Sequence, residues 1–518
     1  MISVFFLCLL VGFDSALCAN ILMVYELPSP SHQLWDYSLA EGLMAKGHNV
    51  TMLGPFADRG KKSDKYHPIV IEGILETLSQ HRDFDLEENL PNLTPLKYMG
   101  VYSDYCIIVC NHTYHSNGLK TLLNYPKDFK FDLIILDATL TTCTYPLIQR
   151  FGYPPTVGMT ALLLPSALSF SFGNVLQPSY LPIFVAEYTE NMSFFQRVLN
   201  YVYTHLEIFN KKYFERWHLE KIVKNALGEG VDPMEVLERH VSLLLCNLNP
   251  AVGYPQPLTP NIIPVGGLNV KPAKELPPDL KSIMDDAKDG VILFSLGTNI
   301  RSANLKTEVR KNLLEAFSRL KQIVLWKFED TLDTLPSNVI IRKWLPQNDI
   351  LGHPNTRLFI SHGGALSTFE AIYHAVPIIG MPFFLDQKVN INSLVEKNMA
   401  LKIDPSNFNS DELFQSIIEI LNNPMYGKNF KEYSRRMKDQ PQQPLERAVF
   451  WAEYAMRHDG AHFLNPMSRD MPIFVSSSTD VILFLTSVCV TFITLLYVTF
   501  KKIGTCLVFK SPKKQKIN

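Results

Sequence analysis

Short apolar runs and amphipathic stretches alternate along most of the chain. Residues 21–25 form an apolar run of strand length, a helical pattern follows over residues 33–45 and ends before Gly47, and the apolar stretch NVTML comes next. This order predicts a β-α-β unit, which is typical of a parallel sheet covered by helices. KFDLIILDATL predicts another buried strand, whereas the Phe- and Tyr-rich residues 165–240 predict helices and loops that shape an apolar pocket or contact a membrane.

The same alternation starts again after a proline-rich passage at residues 249–280. GVILFSLGT, QIVLWKF, NVIIRKW and TRLFISH are predicted strands, and TEVRKNLLEAFSRL is a predicted helix. A chain of 518 residues exceeds one ordinary core, so we expect two α/β domains. We place the first domain at residues 20–265, a linker at 266–285 and the second domain at 286–440. A helical segment at 441–470 is expected to pack near the groove between the domains.

Both ends of the chain predict a membrane protein of the secretory pathway. Residues 1–19 have the apolar core and small residues of a cleaved signal peptide. Residues 481–500 carry no charge and are long enough to cross a bilayer as one helix. The basic tail at 501–518 predicts a cytosolic end, and Lys514 and Lys516 have the spacing of a retrieval signal. We therefore expect a single-pass type I protein of the endoplasmic reticulum membrane, with its domains in the lumen.

Composition excludes several classes of function. The formal net charge is -1, so the chain has no basic field with which to bind nucleic acid. DFD at 83–85 resembles a metal-binding DxD, but it lies in a charged loop and we interpret it as solvated; HExxH and paired CxxC motifs are absent from the sequence.

Two covalent modifications are compatible with the sequence. A disulfide bridge can form between Cys106 and Cys110, and glycosylation is expected at Asn92, Asn111 and Asn191.

The stretch FISHGGALSTFEAIYHAVPIIGMPFFLDQ, residues 359–387, predicts a binding site for an anion. His362 and Gly364 lie where a predicted strand gives way to a helix. The first N–H groups of a helix are unpaired and glycines allow close approach, which together make a seat for phosphate. Ser367 and Glu370 follow on one face of that helix, where Glu370 can accept from the two hydroxyls of a ribose.

Neighbouring segments add the remaining groups that a nucleotide-sugar needs. Trp344 offers a flat face for a base, and Gln347 offers an amide for its edge or for ribose. Thr298, at the end of another predicted strand, can donate to a phosphate. Asp386 and Gln387 are suited to sugar hydroxyls and are expected to end the strand after the helix. Each feature alone is weak evidence, and the prediction depends on their order and spacing.

Residues 344–387 resemble the signature of the UDP-glycosyltransferase family, and the resemblance extends over the whole predicted luminal chain and the membrane tail. It implies the GT-B architecture, in which two Rossmann-like domains face each other. It also implies uracil stacking on Trp344, uridine contact at Gln347, diphosphate binding by His362, ribose binding by Glu370 and sugar recognition by Asp386 and Gln387. Plant relatives carry Trp-Asn-Ser after the His-x-Gly, where this chain has Ala365-Leu366-Ser367.

Two residues of the N-terminal half are candidates for the chemistry. His32 follows the first predicted strand in a Pro/Ser turn, and Asp137 ends the strand DLIIL. A histidine oriented by a buried aspartate makes an effective base, although His32 could instead cap the helix predicted from Gln33. SPSHQLW and FDLIILDA match the family segments that hold the catalytic histidine and its aspartate partner. The resemblance therefore implies that His32 is the base and Asp137 its partner.

The sequence predicts an inverting enzyme that moves a sugar from a UDP-sugar to a hydroxyl of a small lipophilic acceptor, with no cofactor and no metal. SHGGALSTFEAIYH looks most like insect members of the family, which implies UDP-glucose, whereas vertebrate relatives often use UDP-glucuronate. The alternatives are a UDP-glucuronosyltransferase and a catalytically silent, membrane-anchored protein that binds UDP-sugar. The resemblance is also compatible with a homo-oligomer.

Overall fold

The computed structural model describes residues 18–58, 60, 63–81, 84 and 93–509. The predicted signal peptide up to residue 17, the sequon at Asn92, both aspartates of DFD and the retrieval lysines lie outside these residues. The sequons at Asn111 and Asn191 are exposed. The described residues form two compact units, one that ends at Asn465 and one that begins at Pro466.

The larger unit contains two parallel sheets. The first has the strand order β3-β2-β1-β4-β5-β6-β7 and the second the order β10-β9-β8-β11-β12-β13. The strands of the first sheet are β1 (Asn20–Val24), β2 (Asn49–Gly54), β3 (Tyr66–Val70), β4 (Leu133–Asp137), β5 (Thr156–Thr160), β6 (Val241–Cys246) and β7 (Ile262–Pro264). Those of the second are β8 (Val291–Ser295), β9 (Ile323–Lys327), β10 (Val339–Arg342), β11 (Thr356–Ser361), β12 (Ile378–Gly380) and β13 (Ala400–Lys402).

Helices cover both faces of each sheet. Those up to β7 are α1 (Pro30–Ala45), α2 (Ile74–Ser79), α3 (Pro95–His115), α4 (Asn117–Leu123), α5 (Pro146–Arg150), α6 (Ser166–Ser171), α7 (Phe194–Phe209), a π-helix (Asn210–Glu215), α8 (Arg216–Leu227) and α9 (Met234–His240). Those that follow are α10 (Pro278–Asp286), a 3₁₀ turn (Ser302–Asn304), α11 (Thr307–Ser318), α12 (Gln347–Leu351), α13 (Ala365–His374), α14 (Gln387–Glu396), α15 (Ser410–Asn422), α16 (Pro424–Lys438), α17 (Pro444–Arg457) and a 3₁₀ helix (Asp459–Leu464).

The strands are apolar on both sides because each sheet is buried on both faces. Leu22 and Val24 of β1 join one core cluster, whereas Ile21 and Met23 point into the cluster on the opposite face. The second sheet repeats this arrangement in β8. The predicted α/β fold with two Rossmann-like sheets is therefore confirmed.

Helix α17 packs on the first sheet, although it follows the second sheet in sequence. Its buried residues Ala448, Val449, Ala452 and Ala455 belong to the core cluster of α1 and the first sheet. Gly42 of α1 makes this close packing possible, because a Cβ there would lie 2.8 Å from Val449 Cγ2. The chain thus returns to its N-terminal half after completing the second sheet.

The smaller unit contains a 3₁₀ turn (Met467–Arg469), α18 (Ile473–Ser476) and the long helix α19 (Thr479–Phe509). Residues Thr479–Thr505 have a mean hydropathy of 2.5 over the most apolar window and are long enough to cross a membrane. The apolar helix predicted at residues 481–500 thus lies inside α19, which is a candidate membrane span.

Cys110 forms a disulfide with Cys143, with a Cα–Cα distance of 5.7 Å. The bridge between Cys106 and Cys110 that the sequence allowed is therefore wrong. Cys106 is a buried free thiol one helical turn before Cys110, and its Sγ donates to Leu140 O at 3.3 Å. The true partner comes from the segment after β4, which the fold brings against α3.

Candidate active site

The carboxyl ends of the strands in both sheets border one cleft with a volume of about 380 Å³. That volume lies within the usual range for small-molecule sites. The cleft is lined by His32 and by all nine residues predicted to bind the nucleotide-sugar: Thr298, Trp344, Gln347, His362, Gly364, Ser367, Glu370, Asp386 and Gln387.

The phosphate seat is built at the junction of β11 and α13. Gly364 is the N-cap of α13 and provides no side-chain cap, whereas the backbone N–H of Ala365, the first residue of the helix, bonds to the carboxylate of Asp386. Gly363 has φ +83, and a Cβ there would lie 2.4 Å from Ile391 Cγ1. Glycine is needed at 363 for both the backbone conformation and the packing.

Two polar side chains lie beside the N-terminus of α13. Among the described residues, His362 Nδ1 and Thr298 Oγ1 are buried without a hydrogen-bond partner. Burial, followed by the positive charge of Lys327, lowers the pKa of His362 to about 4. His362 is therefore a neutral imidazole at physiological pH, and one ring N–H can donate to an anion.

Lys327 is a residue that the sequence reasoning missed. It ends β9, lines the same cleft, and its Nζ donates to Glu329 Oε1 at 2.6 Å. A cation at this edge of the sheet adds to the attraction for a phosphate or a carboxylate. The signal was present in QIVLWKF, where the lysine ends a predicted strand just as His362 does.

Gln347, Ser367 and Glu370 form one hydrogen-bonded group. Gln347 Nε2 donates to Ser367 Oγ at 2.9 Å and to Glu370 Oε2 at 2.5 Å. Burial raises the pKa of Glu370 to about 7, although the bond from Gln347 opposes this shift. Trp344 lies beside them with 62% of its surface exposed, which leaves its ring available for stacking.

Asp386 and Gln387 lie at the start of α14, so the prediction that they end the preceding strand is wrong. Strand β12 ends at Gly380, and Pro382 cannot donate to a further ladder bond. Asp386 Oδ2 accepts from Asn390 Nδ2 at 2.7 Å, and Gln387 Oε1 accepts from Phe383 N at 2.8 Å. The amide nitrogen of Gln387 is then the end that can donate to a hydroxyl.

His32 lies in the first turn of α1, which begins at Pro30 rather than at the predicted residue 33. Proline is favoured at the first helical position because its φ is already helical, and this extends the helix back over His32. The imidazole is buried, and burial lowers its pKa to about 4. His32 is therefore neutral above that pH and able to accept a proton.

Asp137 ends β4 behind His32 and does not itself line the cleft. Its Oδ2 lies 4.0 Å from His32 Nδ1, longer than a hydrogen bond, and its Oδ1 accepts from Thr139 N at 2.8 Å. Within the described part of the chain, His32 Nδ1 and Asp137 Oδ2 have no hydrogen-bond partner. Burial raises the pKa of Asp137 to about 6, which leaves it ionised at neutral pH.

Two further buried acids surround this pair, and sequence reasoning missed both. Asp36 lies one turn after His32 on α1, and its pKa is raised far above the usual range by burial and then by the charge of Asp137. Burial raises the pKa of Glu26 to about 8. Glu26 therefore holds its proton at neutral pH, and Asp137 carries a negative charge that faces His32.

Comparison with known proteins gives a consistent result. The family model described as "UDP-glucoronosyl and UDP-glucosyl transferase" matches residues 31–516. UDP-glucosyltransferase 2 of Dactylopius coccus is 34% identical over 471 residues, covering 88% of each chain. UDP-glucuronosyltransferase 2B7 of Homo sapiens is 32% identical over 500 residues, covering 92% of each chain.

Solved structures share the fold. A UDP-glucosyltransferase from Polygonum tinctorium superimposes with a TM-score of 0.58 at 15% identity, covering 85% of this chain and 98% of that chain. The calicheamicin glycosyltransferase CalG4 gives a TM-score of 0.55 at 17% identity with the same coverage. The two parallel-sheet domains are thus those of GT-B glycosyltransferases.

Proposed function

The chain belongs to the family of UDP-glucuronosyl and UDP-glucosyl transferases, and we propose that it transfers glucose from UDP-glucose to a hydroxyl of a small lipophilic acceptor. One observation carries this proposal: a single cleft holds a buried neutral histidine together with every residue predicted to bind the donor. The 34% identity to a UDP-glucosyltransferase supports glucose as the sugar.

In the proposed donor complex, uracil stacks on Trp344, and the ribose hydroxyls donate to Glu370. The diphosphate lies on the N-terminus of α13, where His362 and Thr298 donate to it. The unpartnered, buried polar atoms of these two residues support this placement. Asp386 and Gln387 bind the hydroxyls of the sugar.

In the proposed reaction, His32 removes the proton from the acceptor hydroxyl as the oxygen attacks the anomeric carbon from the face opposite UDP. The C–O bond to UDP breaks, its electron pair leaves with the diphosphate, and the configuration at the anomeric carbon inverts. Asp137 stabilises the imidazolium, which needs the 4.0 Å gap between Nδ1 and Oδ2 to shorten. The raised pKa of Asp36 favours its protonated form, which leaves Asp137 as the carboxylate next to the imidazolium.

Several groups of the protein can stabilise the negative charge of the departing UDP. Lys327, His362, Thr298 and the N-terminus of α13 all lie at the carboxyl ends of the second sheet. Such preorganised donors stabilise a leaving group without reorganisation. The proposal therefore assigns no role to a metal ion or another cofactor.

We further propose that the enzyme is a type I protein of the endoplasmic reticulum membrane with its catalytic domains in the lumen. The apolar helix α19, the signal-like N-terminus and the basic C-terminal tail support this topology.

The test uses microsomes that contain the full-length chain. UDP-glucose, UDP-glucuronate, UDP-galactose and UDP-N-acetylglucosamine are each offered with a panel of phenols and alcohols, and conjugates are detected by mass. His32→Ala is compared with the unchanged chain, and UDP binding is measured in both as a check on folding. We expect glucosides that disappear in His32→Ala while UDP binding persists.

Other outcomes contradict specific parts of the proposal. Glucuronides in place of glucosides would show that the donor is UDP-glucuronate. The similarity to UDP-glucuronosyltransferase 2B7 and the cation Lys327 in the cleft favour this alternative. Conjugates that persist in His32→Ala would show that His32 is not the base. UDP binding without conjugates from any donor would favour a silent binding protein.

A further inference from the structure

The side chain of Ser29 does not make the contact that its position in the sequence favours. Ser29 is the N-cap residue of α1, where a serine normally accepts a hydrogen bond from a backbone N–H of the first helical turn. Within the described residues, its side chain makes no such bond. The residue is buried, with 5% of its surface exposed, so its hydroxyl needs a partner inside the protein.

That partner is Asn299, which lies in the loop that follows β8 of the second sheet. Asn299 Nδ2 donates to Ser29 Oγ at 3.0 Å. The Ser29 hydroxyl lies 3.1 Å from Asn299 Oδ1 and 3.0 Å from Ser31 Oγ, so it can donate to either oxygen. The contact joins the N-terminus of α1, which covers the first sheet, to a loop of the second sheet.

Both ends of this contact lie next to residues of the proposed chemistry. On one side, the first turn of α1 carries His32, the proposed base. On the other side, Asn299 lines the cleft and directly follows Thr298, which is proposed to donate to the diphosphate. The same loop packs against the phosphate seat at Gly297, where a Cβ would lie 2.6 Å from Cε1 of His362. The contact therefore connects the helix of the base to the loop beside the leaving group.

Glu187 makes a different contact between the same two domains. It lies between α6 and α7 and pairs with Lys388 of α14 at 2.8 Å and with Lys402 of β13 at 3.2 Å. Its side chain is 52% exposed, and exposed ion pairs contribute little to stability. The described lining of the cleft includes none of these three residues. Glu187 thus joins the domains away from the reacting groups and provides a matched control.

We propose that Asn299 is a positioning residue, which sets the place of His32 relative to the anomeric carbon through its bond to Ser29. This inference rests on the proposed function, because it gives Asn299 a task in that same reaction. Reacting atoms must lie about 3 to 3.5 Å apart, and a displacement of about 1 Å can slow a reaction about 100-fold. Without Asn299, the Ser29 hydroxyl is free to cap α1, and the first turn that carries His32 adjusts to that bond.

The experiment measures steady-state kinetics, UDP binding and thermal unfolding of the full-length chain in microsomes. Asn299→Ala is expected to lower kcat about 10- to 100-fold. The donor KM and the UDP affinity should stay within about twofold, because the amide contacts Ser29 rather than the nucleotide. The melting temperature should not fall, since Ser29 can then cap α1. Glu187→Ala should keep the kcat of the unchanged chain.

Variants of Ser29 test whether the two residues act through each other. Ser29→Ala should lower kcat as Asn299→Ala does, and the double variant should be no slower than either single variant. Ser29→Thr retains the hydroxyl and should retain most of the kcat. If Asn299→Ala fails to fold, the comparison of Ser29→Ala with Ser29→Thr decides the matter.

The acceptor provides a readout that a purely structural role would not change. A nitrophenol that is already ionised at the assay pH needs no base, whereas an alcohol does. The loss of kcat in Asn299→Ala should therefore be smaller with the nitrophenol than with the alcohol.

Several results would overturn the inference. These are an unchanged kcat in Asn299→Ala, an equal loss in Glu187→Ala, additive losses in the double variant and equal losses with both acceptors. A fall in UDP affinity as large as the fall in kcat/KM would make Asn299 a donor-binding residue instead. Absence of turnover by the unchanged chain with any donor would overturn the proposed function as well, whereas the other results leave that function standing.

Discussion

Replacing Gly364 by alanine tests the phosphate seat with a single methyl group. The backbone at this position has φ -61 and ψ 145, which alanine adopts without strain. A Cβ there would lie 2.5 Å from Nε2 and 3.1 Å from Cε1 of His362. The imidazole must therefore move, while the helix that begins at residue 365 keeps its start.

The size of the effect follows from what His362 is proposed to do. A hydrogen bond to a charged group contributes about 1.5 to 3 kcal/mol. Losing the bond from His362 to the diphosphate should therefore lower kcat/KM for the donor about 10- to 160-fold. Folding stability should change little, because the position is compatible with alanine and the displaced group is the side chain at the edge of an open cleft.

The assay compares three variants in steady-state kinetics, UDP binding and thermal unfolding. Gly427→Ala on α16 is the control, since nothing lies within 4 Å of a Cβ there; it should keep full activity and gain at most about 1 kcal/mol of stability. Gly363→Ala should lose both activity and stability, because its φ is +83 and its Cβ would meet Ile391. Gly364→Ala should lose activity alone.

Two outcomes would refute the reasoning. If Gly364→Ala keeps the kcat/KM and UDP affinity of the unchanged enzyme, His362 does not hold the diphosphate at this seat. If its melting temperature falls as far as that of Gly363→Ala, the glycine is required for the fold and the kinetic loss says nothing about phosphate.

Three other predictions follow from the same geometry. Burial raises the pKa of Asp137 to about 6 and lowers that of His32 to about 4, so the aspartate gains its proton first as pH falls; kcat/KM should drop about tenfold per pH unit below 6, and Asp137→Asn should be slower and lose this part of the decline, while the part caused by Glu370, whose pKa is raised to about 7, remains. Trp344→Ala should raise the donor KM about 5- to 160-fold, because base stacking on an aromatic ring contributes about 1 to 3 kcal/mol; an unchanged KM in donor-saturation kinetics would exclude stacking. Replacing both Cys110 and Cys143 by serine opens a loop with a sequence separation of 33 and should destabilise the fold by about 3 to 4 kcal/mol, seen as a lower melting temperature that reductant does not lower further.

The fold and the half of the cleft formed by the second sheet can be predicted from the sequence because they follow a local rule. Strands buried on both faces appear as continuous apolar runs, and parallel strands present their carboxyl ends at one edge. His362 and Thr298 each follow such a run within a few residues. Their side chains could be placed in one site without knowing any long-range contact.

The residues that sequence reasoning missed depend on contacts between distant segments. In the sequence, Asp36 is an ordinary acidic residue of a predicted helix. Its pKa is raised only because the fold buries it and places Asp137 of β4 near it. Cys110 finds Cys143 only after the segment following β4 packs on α3. Lys327 obeys the strand-end rule, but a lysine after a strand is so often solvated that the rule alone does not select it.

The topology of the two sheets explains which candidate residues each sheet contributes to the cleft. Both sheets have the local strand order 3-2-1-4-5-6, so each has a crevice between its first and fourth strands, where the covering helices diverge. The first sheet places His32 and Asp137 at that crevice, and the second sheet places Thr298 and His362 at the equivalent one. His32 and the start of α13 line the same cleft, so in the proposed complex the base and the phosphate seat would stand on opposite sides of the transferred sugar. This is the geometry that in-line inversion needs, because the acceptor oxygen and the departing UDP must lie on opposite faces of the anomeric carbon.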